Sequence, residues 1–165
     1  MKFINQFYKS QKKEIFLFLL MLGLELTMIF ALSQSNGLSI FFRSDGTEYQ
    51  RLVRNLVDYG AFSVEKEAPF IPTDYRTPVY PFFLTIIYLI FKSFTPAIFI
   101  GATIFALCAP LVYLIGKEIF SEKIAFWSAM LFAIEPWAIF QSGFLAAEQI
   151  FLPFLLFSMY LFCRY

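Results

Sequence analysis

Four apolar runs, at residues 15–33, 97–116, 124–140 and 148–163, constrain this chain more than any other feature. About 20 apolar residues let a helix cross a bilayer, where the backbone must satisfy its own hydrogen bonds. The pattern predicts an all-α integral membrane protein with about four transmembrane helices. Composition agrees, since 59% of the residues are hydrophobic and 24 of 165 are Phe, whereas an ordinary soluble domain is about half apolar. The fourth run is short and carries Pro153. A further stretch, "VYPFFLTIIYLIF" at 79–91, is too short to span comfortably and fits an interfacial helix. Lysines precede the first run, as in a signal peptide, but the run is longer than a typical h-region and carries Glu25, so it reads as an uncleaved span.

Charge placement sets the orientation. With the N-terminus inside and 79–91 not spanning, Lys2, Lys9, Lys12, Lys13, Lys117, Lys123 and Arg164 all fall inside. Counting 79–91 as a span would move Lys117, Lys123 and Arg164 outside. Arg43, Arg51, Arg54, Lys66, Arg76 and Lys92 occupy the long segment 34–95, which faces outward and can translocate regardless of charge. A net charge of +1 leaves no basic face for nucleic acid. The sequence has no His, so proton transfer falls to Asp, Glu, Lys or Tyr. Cys108 and Cys163 lie in apolar runs without metal-type or redox spacing and read as small core residues. Glu25 is either a proton-handling group or, as the pattern favours, an acid at a helix contact.

Five charged side chains concentrate in "RSDGTEYQRLVRNL", residues 43–56. Tyr49, Leu52, Val53 and Leu56 form one apolar stripe, with Glu48, Arg51, Arg54 and Asn55 on other faces, so an amphipathic helix lies on the membrane surface. Asp45 and Glu48 have the spacing of a capping box, with Asp45 as the cap. That role does not preclude a catalytic one. In "APFIPTDYRTPVYPFF", residues 68–83, four prolines favour a stiff, irregular loop that brings Arg76 to the membrane boundary. There a guanidinium either binds phosphate bidentately or anchors the loop to lipid headgroups.

Asp45-x-x-x-Tyr49, "LVRNLVDYGAFS" and "YRTPVYPFFLTIIYLIF" resemble the first outer loop of the integral-membrane glycosyltransferases of the C superfold. The similarity is to the bacterial relatives of protein O-mannosyltransferases and of lipid A aminoarabinose transferases. "KEIFSEKIAFWSAMLFAIEPWAIFQSGFLAAEQIF" resembles the next inner loop, third span and second outer loop. The resemblance implies a plasma (inner) membrane enzyme with a cytoplasmic N-terminus. It would move a sugar, with inversion, from a polyprenyl-phosphate donor to a lipid, glycan or protein acceptor outside. It assigns Asp45 as catalytic base and Glu148 as the second catalytic acid; positive charge for the donor phosphate could come from Arg76, and Arg76, Glu48, Tyr49 and Tyr80 are the expected substrate-binding residues, although Glu48, one turn on, does not simply replace the acid absent at position 46. Some relatives use a divalent metal, and many carry a second acid where this chain has Gly46, so no cofactor is firmly implied. Relatives also have more spans, so residues 1–165 are expected to be an N-terminal part, inactive alone. The competing readings are a non-catalytic scaffold and, with less support, a transporter piece built around Glu25.

Overall fold

The computed structural model describes residues 11–165, and among these every regular element is helical. The first helix, α1 (Lys12–Asn36), is followed by a 3-10 turn (Leu38–Phe42), α2 (Asp45–Tyr59) and, after a long irregular loop, α3 (Val79–Phe91). Then come α4 (Thr95–Phe105), α5 (Cys108–Ile119), α6 (Glu122–Ala133), α7 (Pro136–Ser142) and α8 (Glu148–Arg164). Lys2 and Lys9 lie outside the described residues.

The membrane character follows from where the apolar side chains point. Phe30, Leu131 and Phe154 are each more than 60% exposed, which a protein in water rarely tolerates on such a scale but a lipid-facing surface requires. Two helical segments, Lys12–Asn36 and Thr95–Ile119, are long and apolar enough to cross a bilayer, the second being α4 and α5 end to end. A third span exists if α6 and α7 count as one, bent by 56°. The bend sits at "EP": Pro136 cannot continue the preceding helix, and Glu135 caps α7 by accepting from the Ala138 N–H. The expected count of four is therefore two or three by length, because α8 has 17 residues and falls just short.

Both ends of the bundle are defined by polar contacts. At one end Lys13 pairs with Glu122 at 2.7 Å and Lys117 with Glu14 at 3.6 Å, so the start of α1, the end of α5 and the start of α6 meet. At the opposite end the Leu145 N–H donates to the Phe41 carbonyl at 3.1 Å, joining the loop before α8 to the turn before α2. Small residues let the spans approach: a Cβ on Gly116 would lie 2.9 Å from Ala125, so α5 and α6 touch backbone to backbone. Leu17, Met21, Cys108, Ala109 and Ala129 fill the core near the lysine end. Glu25 is fully buried on α1 with neither carboxylate oxygen bonded, so it lies at a helix contact but without the hydrogen-bond partner a buried acid there would ordinarily have.

The amphipathic reading of α2 holds, with one exception. Tyr49, Leu52 and Val53 are buried as the stripe requires and Leu56 is half-buried, but Asn55 is buried too, and its amide donates to the carbonyls of Ser63 (2.8 Å) and Glu65 (2.9 Å) and ties down the loop after the helix. Gly60 ends α2 at φ 68°, ψ 16°, a left-handed conformation that glycine adopts without steric cost. The helix α3 lies against α2 and α4, with Tyr80, Leu84 and Ile87 buried. Pro81 is accommodated because it falls in the first turn, where no intrahelical donor is lost.

Candidate functional site

The expected capping box does not form. Ser44, at φ 55°, takes the N-cap position, no side chain caps the helix, and Asp45 is the first residue inside it. The two acids turn away from the backbone because a stronger partner is available. The Arg76 guanidinium donates from Nη2 to Asp45 Oδ1 at 2.9 Å and from Nη1 to Oδ2 at 3.2 Å. It also donates from Nε to Glu48 Oε2 at 3.1 Å, with a second, very short bond from Nη2 to the same oxygen. Charge-assisted forks of this kind outcompete a backbone N–H for a carboxylate. Asp45 and Glu48 share a face because they are three residues apart on a helix. The proline-rich loop carries Arg76 to that face.

Aromatic rings fix the guanidinium from behind. It lies 5.0 Å from the ring centres of both Tyr49 and Tyr75. The Tyr75 hydroxyl donates to Glu48 at 2.8 Å. Tyr49 packs edge-on against Tyr80, with centroids 4.8 Å apart. The Tyr80 hydroxyl donates to Gln149 Oε1 at 2.8 Å, and the Gln149 amide donates to the Ser142 carbonyl. Tyr49 and Tyr80, expected to bind substrate, are 4% and 2% exposed and serve here as the support beneath Arg76.

The electrostatics follow from these contacts. Hydrogen bonds from Arg76, and then Tyr75, hold the Glu48 carboxyl below its ordinary value of 4.5. The bond to Asp45 raises the already high pKa of Arg76, so the guanidinium stays charged. Burial pushes the Tyr49 phenol up, against the opposing charge of Arg76. Glu148 opens α8 as an exposed side chain, close enough for its charge to act on Tyr49 and Tyr80. No hydrogen bond or ion pair joins Glu148 to Asp45, Glu48 or Arg76 among the described residues.

Gly46 has a packing reason to be glycine. A Cβ there would lie 3.2 Å from Leu145 Cβ and 3.4 Å from the Phe41 carbonyl oxygen, tighter than most real contacts. The place where many relatives carry a second acid is taken by the close approach of the loop before α8. Among the described residues no three metal-type side chains converge, and Arg76 fills the space between Asp45 and Glu48. The site therefore does not fit a divalent cation.

Beneath the charged cluster an apolar cavity of about 420 Å³ is lined by Thr77, Tyr80, Ala147, Ile150, Phe151 and Phe154, among others. It opens between the residue after Arg76 and the residue before Glu148. The sequence pointed to Asp45, Arg76 and Glu148 but missed Tyr75, Leu145 and Gln149. An amide inside an apolar run, as at Gln149, was the available signal, since a buried polar group needs a partner.

No curated protein and no solved structure matches the chain. The family model described as dolichyl-phosphate-mannose-protein mannosyltransferase matches residues 75–165, from the Tyr75–Arg76 pair through Tyr80, Gln149 and Glu148 to α8; Asp45 and Glu48 precede the match. That match covers more than half of a helical membrane protein, and the chain belongs to the dolichyl-phosphate-mannose-protein mannosyltransferase family of glycosyltransferases.

Proposed function

We propose that the protein transfers a sugar, with inversion, from a polyprenyl-phosphate donor to a lipid, glycan or protein acceptor, using Asp45 as base and Arg76 as phosphate ligand. One observation carries this reading: Arg76, gripped by Asp45 and Glu48, stands beside an apolar cavity that suits the carrier's chain. The donor phosphate competes with Asp45 for the Nη1–Nη2 edge of Arg76. Glu48 keeps the guanidinium in place through Nε, and Asp45 is released as a free carboxylate. The acceptor's nucleophilic atom then bonds to the anomeric carbon as the bond from that carbon to the phosphate oxygen breaks. The acceptor proton passes to Asp45, and Arg76 stabilises the charge on the departing polyprenyl phosphate. Glu148 orients the donor or acceptor from the α8 side. The loop 34–95 faces outward from a plasma membrane, with the N-terminus in the cytoplasm.

Asp45→Asn, made in the native gene product, tests the assignment. Asn keeps the shape and one hydrogen bond to Arg76 but cannot take the acceptor's proton. Transfer should fall by about a hundredfold or more, the scale of general-base catalysis. Asp45 is 53% exposed, so losing its ion pair should cost at most about 1 kcal/mol of stability. Transfer at the wild-type rate by folded Asp45→Asn protein would leave Asp45 with only the task of holding Arg76.

A further inference from the structure

The opposite face of α2 holds a second charged constellation that the transfer reaction does not use. An open cavity of about 440 Å³ lies between α2 and the loop that follows, and its lining includes Arg51, Arg54, Asp58, Tyr59, Lys66 and Phe70. Arg51 donates from Nη1 to the Val64 carbonyl at 2.9 Å, which fixes its head while leaving other donors free. Arg54 and Lys66 are exposed. Among the described residues none of these three cations is within ion-pair distance of a carboxylate, in contrast to Lys13, Arg76 and Lys117. Stacked rings of Tyr59 and Phe70, with centroids 4.6 Å apart, wall one side. Three cations and the Asp58 carboxylate leave a net charge of +2 around the space.

Two further features narrow the ligand. A phosphate monoester carries about −1.5 to −2 at neutral pH and offers the oxygens that a guanidinium fork matches. Its charge complements the lining, which a single carboxylate's would not. The Arg54 guanidinium also lies 5.9 Å from the ring centre of Phe94, the residue just before α4 enters the second span. That places one rim of the cavity at the depth of lipid headgroups. We propose that this cavity is a separate anion site for a phosphate monoester, carried on a membrane lipid headgroup. The site is independent of the roles given to Asp45 and Arg76.

The test uses the purified protein in an uncharged detergent, titrated calorimetrically with dihexanoyl phosphatidic acid and, in parallel, with inorganic phosphate. The short-chain lipid should bind at least tenfold more tightly than phosphate. Arg54→Gln/Lys66→Gln should weaken it at least tenfold, while Arg43→Gln leaves it unchanged. Asp58→Asn removes the one opposing charge in the lining and should tighten binding severalfold, an effect that misfolding cannot mimic. Equal affinity for inorganic phosphate would overturn the lipid source. Absence of binding to either probe, or binding indifferent to both the Arg54/Lys66 and Asp58 variants, would overturn the site.

Discussion

Gly101 on α4 should be intolerant of alanine for a reason that reverses when a second residue is changed. A Cβ built on Gly101 would lie 2.5 Å from both Cδ and Nε2 of Gln149 and closer still to Oε1. Carbon and nitrogen settle at about 3.5 Å or more, so the amide would have to retreat by about 1 Å. Gln149 is 1% exposed, and its amide is held between the Tyr80 hydroxyl at 2.8 Å and the Ser142 carbonyl. A shift of about 1 Å takes both bonds beyond useful range. Two interhelical bonds in a membrane protein are worth about 1 kcal/mol together by double-mutant cycles, and leaving their groups buried and unpaired raises that to several kcal/mol. We expect Gly101→Ala to destabilise the protein by about 2–3 kcal/mol in detergent unfolding. With Gln149→Ala the space is empty, and Gly101→Ala should instead stabilise by up to about 1 kcal/mol through helix propensity. Because Tyr80 supports Tyr49, and Tyr49 supports Arg76, sugar transfer should fall with the first variant. Equal destabilisation by Gly101→Ala in both backgrounds would refute the packing argument.

Three further outcomes follow from the same geometry. Arg76→Lys keeps the charge but cannot hold two carboxylates and a phosphate in one plane, so it should raise the KM for the polyprenyl-phosphate donor more than that for the acceptor; unchanged donor kinetics would leave Arg76 as a lipid anchor. Glu48 is held below its ordinary value of 4.5, so its contribution to loop stability is complete above that pH and is lost as acid is added through its lowered folded value; protease cleavage of the loop should increase in that range, and Glu48→Gln should remove this pH dependence. A cysteine at exposed Glu67 should react with an impermeant thiol reagent applied outside and one at exposed Lys123 should not; the reverse would overturn the outward orientation.

What could be read in the sequence was set by periodicity and by charge. The stripe Tyr49, Leu52, Val53 repeats at helical spacing, so α2 and its buried face were legible, as were the first two membrane runs and the irregular course of 68–78. Two kinds of feature were not. The break between α6 and α7 lies inside an apolar run that hydropathy averages over, although "EP" marks it. The capping box failed because local spacing cannot register a partner 31 residues away: Asp45 and Glu48 fit a cap until Arg76 arrives from the next segment. Gln149 and Gly101 are a pair only in space, and neither residue alone announces the other.

The cluster also explains how this chain manages without an acid at position 46. A side chain there would press on Leu145, with a Cβ 3.2 Å from its Cβ, whereas Glu48, one turn on, reaches the same guanidinium from its other edge. The division of edges matters for the chemistry. Two like charges at about 4 Å repel by about 4 kcal/mol in a partly exposed site, so a base carboxylate beside a phosphate needs a cation between them. Asp45 holds the Nη1–Nη2 edge, which is the edge a phosphate would take, while Glu48 holds the Nε–Nη2 edge, so that the two acids share Nη2. When phosphate displaces Asp45, Arg76 need not move. On the proposed mechanism, Glu48 is the residue that keeps the guanidinium in place during the exchange, and Asp45 the residue the exchange releases.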